Sequence, residues 1–255
     1  MAHVSRAARY PVLLHGFTGS AAAWGERLVD GLTGAGLTPV LVDLPGHGCE
    51  AERSDPAAFT LEAVLGHVAR AGDWPTDLVG YSMGGRVALH FAAAFPERVR
   101  RLVLESASPG LASEEERAAR RVADEALAFE LIAGGIESFV DAWEAQPLFE
   151  SRAALEAAVR ARQRELRLRN DPEGLAAALR GLGAGALPSL WGRLAEIAVP
   201  TLLVVGALDA KFVAIAERMV RAMPDARVVE VPGAGHTVHL ERSDGWLAAV
   251  TDFLG

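Results

Sequence analysis

The stretch Gly80-Tyr81-Ser82-Met83-Gly84 constrains the fold of this chain more than any other, because it places a serine where a strand turns sharply into a helix. Leu78 and Val79 precede the first glycine as the end of a buried strand would, and residues 84–89 begin a helix. The two glycines allow close contacts that a Cβ atom would block. The pattern predicts a nucleophile elbow, which holds the Ser82 hydroxyl above a sheet and beside a helix N-terminus.

Two further strand ends carry the groups that a serine nucleophile needs. The apolar strand 201–205 leads into Gly206-Ala207-Leu208-Asp209, and the strand 226–231 leads into a glycine-containing loop that ends at His236. A histidine can accept the serine proton near neutral pH, and an aspartate fixes the imidazole tautomer and stabilises the imidazolium. The chain order Ser82, Asp209, His236 therefore predicts a catalytic triad of the α/β-hydrolase kind.

The turn after the first strand predicts an oxyanion hole. Residues 10–14 read as a short buried strand, and His15-Gly16-Phe17-Thr18-Gly19 follows it. A turn at this place can aim the backbone N–H of Phe17 at the same point as the N–H of Met83. Two such donors would stabilise negative charge that develops on a substrate oxygen.

Strand and helix patterns alternate along the first hundred residues, which indicates crossover connections and a parallel sheet. The predicted helices cover residues 21–32, 59–71 and 83–95, and the predicted strands cover residues 38–42, 77–80 and 99–104. From Ser113 to about Leu194 the pattern is helical only, with start signals at Ser113 and at Asp171-Pro172. The strand–helix rhythm resumes at Thr201.

The predicted fold class is therefore α/β, more closely an α/β-hydrolase fold with a mostly parallel central sheet flanked by helices and an inserted all-helical cap. Residues 1–111 and 195–255 would form the core, and residues 112–194 would form the cap over the catalytic face.

The composition argues against several function classes. The net charge of −8 and the isoelectric point near 5.4 disfavour a nucleic-acid partner, which calls for a basic face. No apolar run is long enough to span a bilayer and no signal peptide is visible, so we expect no membrane partner and a cytoplasmic protein. The single cysteine, Cys49, cannot form an internal disulfide, which suits a reducing compartment. A monomer or a small homo-oligomer is expected.

Several residues near the predicted triad have a second interpretation. Glu105 also follows a strand and lies between the nucleophile and the base in the chain, but the strand and glycine before Asp209 match the usual position of the acid better. His236 and His239 have a spacing seen in some metal sites, yet no carboxylate or cysteine cluster joins them, so no metal site is predicted. His47 is expected to stabilise a turn.

The arginines depart from what a hydrolase of neutral esters needs. Arg86 lies four residues after the serine, in the first turn of a helix whose other face must pack on the sheet. Further arginines share helical faces in the middle segment, namely Arg117, Arg120 and Arg121, and later Arg160, Arg164 and Arg167. A solvated face balanced by Glu156 and Glu165 would explain most of these cap arginines. Because arginine binds carboxylates in a bidentate manner, Arg86 indicates a small polycarboxylate substrate.

Over nearly its whole length the chain resembles the 2-succinyl-6-hydroxy-2,4-cyclohexadiene-1-carboxylate synthases of menaquinone biosynthesis, a branch of the α/β-hydrolase family. The segments that carry the resemblance are residues 14–19, 43–48, 80–86, 106–111, Trp143 with 146–149, 179–183 and 209–212. Segments 14–19 and 43–48 and the elbow are common to many hydrolases. Arg86, Ser108-Pro109-Gly110-Leu111, Gln146-Pro147-Leu148-Phe149 and Asp209-Ala210-Lys211-Phe212 are much more particular.

The resemblance implies a lyase that eliminates pyruvate from 2-succinyl-5-enolpyruvyl-6-hydroxy-3-cyclohexene-1-carboxylate, with no cofactor and no hydrolysis. Ser82, deprotonated through the other two triad members, would remove a carbon-bound proton, and the N–H groups of Phe17 and Met83 would stabilise the charge on the adjacent carbonyl oxygen. Carried over by position, the residues that would hold substrate carboxylates are Arg86, Arg120 and Arg167, and those that would line the pocket are Tyr81 and Trp143.

Two other functions are compatible with the same residues. A carboxylesterase-like or carbon–carbon bond serine hydrolase needs the same triad, so only the arginines argue against it. A non-catalytic receptor on this fold is disfavoured because all three triad members are present.

Overall fold

Six strands form the centre of the fold in the computed structural model, which describes residues 9–52 and 55–255. They are β1 (Val12–Leu14), β2 (Val40–Val42), β3 (Thr76–Tyr81), β4 (Val99–Glu105), β5 (Thr201–Gly206) and β6 (Ala226–Val231). All pair in parallel, in the order β2-β1-β3-β4-β5-β6, which confirms the predicted α/β class. The strand order switches between β1 and β3: β2 lies on one side of β1, and β3 to β6 follow on the other side. In such sheets ligands bind beyond the carboxyl ends of the strands at this switch point.

Helices cover both faces of the sheet, so the inner strands β1, β3, β4 and β5 bury apolar side chains on both sides. The core helices are α1 (Gly25–Gly34), α2 (Leu61–Ala71), α3 (Met83–Ala94), α7 (Ala210–Ala222), α8 (Val238–Glu241) and α9 (Ser243–Leu254). Alternate residues of β3 and β5 face opposite sides: Val79 and Leu202 pack with α1 and α9, whereas Leu78 and Leu203 pack with α2, α3 and α7.

The segment between β4 and β5 is helical, as predicted. It contains α4 (Glu114–Glu144), a 3-10 segment (Pro147–Ala154), α5 (Ala157–Leu168), α6 (Pro172–Leu182) and a final 3-10 turn (Trp191–Glu196). Ser113 and Glu116 form the predicted capping box, and Asp171 caps α6 by accepting a hydrogen bond from Gly174. The division into a core of residues 1–111 and 195–255 and a cap of residues 112–194 stays a prediction; residues 1–8 and 53–54 lie outside the described residues.

The structure corrects four predicted element bounds, one of which is the strand predicted over 38–42, because it begins at Val40. The helix predicted over 21–32 is a 3-10 turn (Ala21–Trp24) followed by α1, because Gly25 takes a positive φ of 72°. The helix predicted from Phe59 begins at Leu61, because the Thr60 side chain caps it through the Ala63 N–H. The first strand is shorter than residues 10–14 and begins at Val12. None of the helices within the described ranges is long and apolar enough to cross a membrane.

The long helix α4 is broken at Gly135, where φ is 78° and ψ is 171°. Only glycine adopts this conformation readily, so we expect Gly135→Ala to lower the free energy of unfolding by about 1–3 kcal/mol. Gly134→Ala is the matched control, because its new Cβ would meet the Ser138 side chain at an ordinary 3.8 Å. The control should be neutral or stabilising by about 0.4–1 kcal/mol. Urea unfolding of the two variants measures the difference, and equal effects would contradict the break at residue 135.

Candidate active site

The Ser82 elbow lies between β3 and α3 and holds the serine at φ 51° and ψ −108°. An alanine Cβ at Gly80 would lie 2.5 Å from the carbonyl oxygen of Gly84, and one at Gly84 would lie 2.4 Å from the carbonyl oxygen of Leu14. Glycine is required at both positions, since real Cβ contacts are never so short. These close contacts press the start of α3 against β3 and β1, so the Ser82 side chain stands clear of the sheet.

The structure brings the three predicted triad residues together at the carboxyl ends of their strands. His236 Nε2 lies 3.1 Å from the Ser82 Oγ, and His236 Nδ1 lies 2.7 Å from a carboxylate oxygen of Asp209. The other oxygen of Asp209 accepts the N–H of Phe212 and so fixes the carboxylate at the start of α7. With His236 only 2% exposed, the imidazole is oriented from both sides and can accept the serine proton.

Glu105, the alternative acid, contacts a different histidine. Its two carboxylate oxygens lie 2.8 and 2.9 Å from His239 Nδ1, and one of them also accepts the His239 backbone N–H. Both members of the pair are buried, and the His239 ring lies edge-on to the Tyr81 ring with centroids 4.9 Å apart. Asp209 is thus the carboxylate that contacts His236, and Glu105 contacts His239 instead.

The turn that carries Phe17 lies directly against the elbow. A Cβ built on Gly16 would be 3.5 Å from the Cβ of Ser82. The His15 ring holds this turn: its Nε2 accepts the Leu44 N–H at 3.0 Å, so its Nδ1 carries the proton and donates to the Gly16 carbonyl at 2.8 Å. Burial lowers the pKa of His15, which keeps it in this neutral form.

Met83 is the first residue of α3, where a backbone N–H has no acceptor within its own helix. Both predicted donors, Phe17 and Met83, line the cavity above Ser82. Both residues thus lie beside the nucleophile, and their role as oxyanion donors stays a prediction.

A cavity of about 770 Å³ covers Ser82 between the sheet and the inserted helices. Four of the five side chains predicted to bind substrate line it, namely Tyr81, Arg86, Arg120 and Trp143. Trp143 packs edge-on against Phe17 with ring centroids 5.1 Å apart, which ties the inserted helices to the oxyanion turn. The fifth, Arg167, does not line this cavity: it is buried, pairs with Glu144 at 2.9 Å, and borders a neighbouring cavity of about 600 Å³.

Arg86 and Arg120 differ in how their charges are balanced. Arg120 Nε pairs with Asp124 at 2.7 Å. Arg86 has no carboxylate within ion-pair distance in the described part of the chain: one Nη donates to the Leu182 carbonyl, and its buried Nε has no partner there. Burial, with a further contribution from Arg120, lowers the pKa of Arg86 to about 10, so it remains a cation at neutral pH. An anionic ligand would complete its environment.

Two cationic side chains that line the cavity, Arg152 and Lys211, were not predicted as site residues from the sequence. Lys211 belongs to the segment 209–212 that carries the family resemblance and lies two residues after Asp209, and this position could have indicated that it lines the site. Arg152 follows Phe149 by three residues, a spacing that stacks its guanidinium 3.9 Å from the Phe149 ring centre in the 3-10 segment. His47, as predicted, stabilises its turn, through Nδ1 and the Pro45 carbonyl.

Two buried histidines near the site predict acid sensitivity. Burial lowers the pKa of His47 to about 3, and burial together with the Arg86 charge lowers the pKa of His90 to about 4. In the unfolded chain an imidazole has a pKa of about 6.5, so the unfolded state binds more protons as the pH falls below this value. The free energy of unfolding should therefore fall by about 2 kcal/mol for each imidazole between pH 7 and pH 5.

Urea unfolding at these two pH values measures the loss, and His90→Gln should reduce it by about 2 kcal/mol, the contribution of this one imidazole. An unchanged pH dependence in this variant would contradict the assignment.

Comparisons with known proteins agree with this geometry. The sequence profile of the alpha/beta hydrolase family matches residues 12–250. A Bacillus subtilis (strain 168) protein, provisionally named a 2-succinyl-6-hydroxy-2,4-cyclohexadiene-1-carboxylate synthase, is 41% identical over 95% of this chain and 89% of its own length. The Salmonella paratyphi C protein of the same name is 33% identical over 95% of this chain and 92% of its own.

A solved structure extends the match to three dimensions. MenH from S. aureus superposes with a TM-score of 0.90 at 35% identity, over 100% of this chain and 96% of that one. The chain therefore belongs to the alpha/beta hydrolase family, and within it to the branch of the 2-succinyl-6-hydroxy-2,4-cyclohexadiene-1-carboxylate synthases.

Proposed function

We propose that this enzyme is a lyase that eliminates pyruvate from 2-succinyl-5-enolpyruvyl-6-hydroxy-3-cyclohexene-1-carboxylate and releases 2-succinyl-6-hydroxy-2,4-cyclohexadiene-1-carboxylate. The observation that carries the proposal is the connected Ser82–His236–Asp209 chain below a cavity that contains the carboxylate-free cation Arg86. A substrate with several carboxylates satisfies this cation, whereas a neutral ester leaves it buried and unpaired.

Proton abstraction is the first step. The Ser82 hydroxyl proton passes to His236 Nε2, and the Asp209 carboxylate stabilises the imidazolium through Nδ1. The Ser82 oxygen then takes the proton from the substrate carbon next to a carbonyl group. The electron pair of that C–H bond moves onto the carbonyl oxygen, where the N–H groups of Phe17 and Met83 stabilise the charge.

Elimination is the second step. The electron pair returns to form a double bond between ring carbons C2 and C3, and the existing C3–C4 double bond shifts to C4–C5. The bond between C5 and the enolpyruvyl oxygen breaks. The leaving oxygen takes the proton from His236, and the enol form of pyruvate departs. Ser82 has kept the carbon-derived proton, so the triad returns to its starting state without an acyl-enzyme and without water.

Exclusion of water favours elimination over hydrolysis. The inserted helices, which we assign as a cap, place Trp143 and Phe149 over the site, and Phe149 and Phe212 lie edge-on to the His236 ring at 6.0 and 4.6 Å. Aromatic side chains on these sides shield the imidazole from solvent. The triad, oxyanion and carboxylate roles of the named residues, the cytoplasmic location, and the monomeric or small oligomeric state stay predictions.

The direct test is release of pyruvate by the purified enzyme from the enolpyruvyl substrate, followed with lactate dehydrogenase and NADH. The expected result is one pyruvate per substrate consumed, with little turnover of nitrophenyl acetate. Rapid hydrolysis of nitrophenyl esters with no pyruvate release would overturn the lyase assignment and favour a serine hydrolase.

Arg86 supplies a second test of the substrate class. Arg86→Gln should raise KM for the polycarboxylate substrate by about 10- to 100-fold, because a charge-assisted hydrogen bond contributes about 1.5–3 kcal/mol. Arg70→Gln is a control, since Arg70 is exposed on α2 and does not line the cavity. Steady-state kinetics of pyruvate release give both constants, and an unchanged KM in Arg86→Gln would exclude this residue from carboxylate binding.

A further inference from the structure

Arg152 connects the inserted helices to the residues next to the catalytic serine and histidine. Its Nε and one Nη donate to the Thr237 Oγ1 at 2.9 and 2.6 Å, and the same Nη lies 3.3 Å from the Tyr81 hydroxyl. Tyr81 and Thr237 are also 3.0 Å apart through their hydroxyl groups. Tyr81 precedes Ser82 in the chain, and Thr237 follows His236. Arg152 therefore contacts the two residues that are next to the catalytic serine and histidine in the chain.

The charge of Arg152 is not balanced. Its other Nη is buried and has no hydrogen-bond partner within residues 9–52 and 55–255, and none of its partners there is a carboxylate. A neighbouring cation is also incompletely satisfied: Arg167 pairs with Glu144 through one Nη, but its buried Nε has no partner in the described ranges. Burial, followed by the charge of Arg152, lowers the pKa of Arg167 to about 10, so Arg167 remains a cation at neutral pH.

Two neighbouring arginines of which only one has a carboxylate partner form an unfavourable arrangement in the absence of a ligand. Buried cations need either a counter-ion or hydrogen-bond acceptors for all their N–H groups. Here Glu144 pairs with Arg167 and also lies 3.4 Å from Arg164, and each of the two guanidinium groups keeps one nitrogen without an acceptor among the described residues. An incoming carboxylate would supply both the missing charge and the missing acceptors.

The cavities around Arg152 show where such a carboxylate would lie. Arg152 borders the Ser82 cavity, the neighbouring cavity of about 600 Å³, and a narrow recess of about 20 Å³. Arg167, Tyr81 and Thr237 line this recess as well, together with Phe17 of the oxyanion turn. A space of this size holds one oxygen of a carboxylate, and the rest of that group would lie in the adjoining Ser82 cavity. Tyr81, Phe17 and Arg152 line both the recess and the Ser82 cavity, which makes the recess a side pocket of the catalytic site.

We propose that Arg152 is a substrate-binding residue of this enzyme, and that it binds one carboxylate of the polycarboxylate substrate jointly with Arg167 at the recess beside Tyr81. The inference rests on the proposed function and extends it: Arg86 on α3 and Arg152 on the 3-10 segment bind different carboxylates of one molecule. The bonds from Arg152 to Thr237 and Tyr81 then fix the inserted helices over the triad when the substrate is bound.

The test compares Arg152→Gln and the charge-conserving Arg152→Lys with Arg162→Gln. Arg162 is exposed on α5 and lines neither the Ser82 cavity nor the recess, so its variant controls for the loss of one positive charge. The first readout is KM and kcat for pyruvate release. The second is the shift in melting temperature caused by tricarballylate, a stable tricarboxylate that serves as the probe and needs no turnover.

For Arg152→Gln we expect a rise in KM of about 10- to 100-fold with kcat within about fivefold of the parent, and loss of the tricarballylate-induced shift. Arg152→Lys should recover part of both, and Arg162→Gln should behave as the parent enzyme. A double-mutant cycle combines Arg152→Gln with Arg167→Gln. The rise in KM of the double variant should be smaller than the product of the two single effects, because both residues bind the same carboxylate.

Three outcomes would overturn the inference: a parent-like KM and probe shift in Arg152→Gln, a fall in kcat with KM unchanged, or an equal loss in Arg162→Gln. The second of these would assign Arg152 a purely structural role. Failure of the proposed function would give a different result. The parent enzyme would then bind tricarballylate through Arg152 but release no pyruvate, so the carboxylate site would stand while the lyase reaction would not. If Arg152→Gln does not fold, Arg152→Lys with the probe decides the question.

Discussion

Replacing Ser82 with alanine should lower kcat for pyruvate release by about 10⁴- to 10⁶-fold, the loss seen when a nucleophile is removed from a triad. The hydroxyl is the group that takes the carbon-bound proton, and at 3.1 Å from His236 Nε2 it is the only link between the triad base and the substrate in this arrangement. The carboxylate-binding side chains stay in place, so tricarballylate should still raise the melting temperature of Ser82→Ala. Loss of turnover with retained probe binding locates the defect in the chemical step.

Ser106 offers a matched control for this experiment. It also follows a strand, β4, and also has a positive φ, 45° against 51° for Ser82. Its Oγ is buried without a partner among the described residues, and it does not line the Ser82 cavity. Ser106→Ala therefore removes a hydroxyl from a similar backbone site and should change kcat by no more than about twofold. Substantial activity in Ser82→Ala would require another base in the cavity.

The meeting of Ser82, Asp209 and His236 could be predicted from sequence because each residue lies in a local pattern. The glycines around Ser82 report the tight packing of α3 on β1 and β3, and Asp209 and His236 each follow an apolar strand end. Parallel strands bring their carboxyl ends to one edge, so chain order alone places the three loops together. The same reasoning chose Asp209 over Glu105, and the contact of Glu105 with His239 agrees with that choice.

The cationic part of the site was harder to predict, because it depends on which helix faces meet. Arg120 and Arg167 have similar helical patterns around them, yet Arg120 lines the Ser82 cavity and Arg167 lines its neighbour. Arg152 lies in a 3-10 segment without periodicity, and its importance comes from Thr237, which is 85 residues away in the chain. The break of α4 at Gly135 also needed backbone angles, since a Gly-Gly pair is compatible with a continuous helix.

Asp209→Asn should lower kcat by about 10⁴-fold, the effect of the equivalent change in serine proteases. An asparagine amide that faces His236 Nδ1 donates a hydrogen bond instead of accepting one. The imidazole then carries its proton on Nε2 and cannot accept the proton of Ser82. The fold should survive, because the asparagine side-chain oxygen can still accept the Phe212 N–H that Asp209 accepts at 3.2 Å.

Glu105→Gln is the comparison that makes the Asp209 result specific. It removes a buried negative charge from a histidine that is not part of the triad, His239, and should lower the free energy of unfolding by about 1–3 kcal/mol while kcat changes by less than about tenfold. Pyruvate release and urea unfolding, measured on both variants, separate the two carboxylates by their effects. A severe loss of kcat in Glu105→Gln, together with an active Asp209→Asn, would reverse the assignment of the acid. The His236 ring would then be oriented through His239 and the Tyr81 ring, and not through its direct 2.7 Å contact with Asp209.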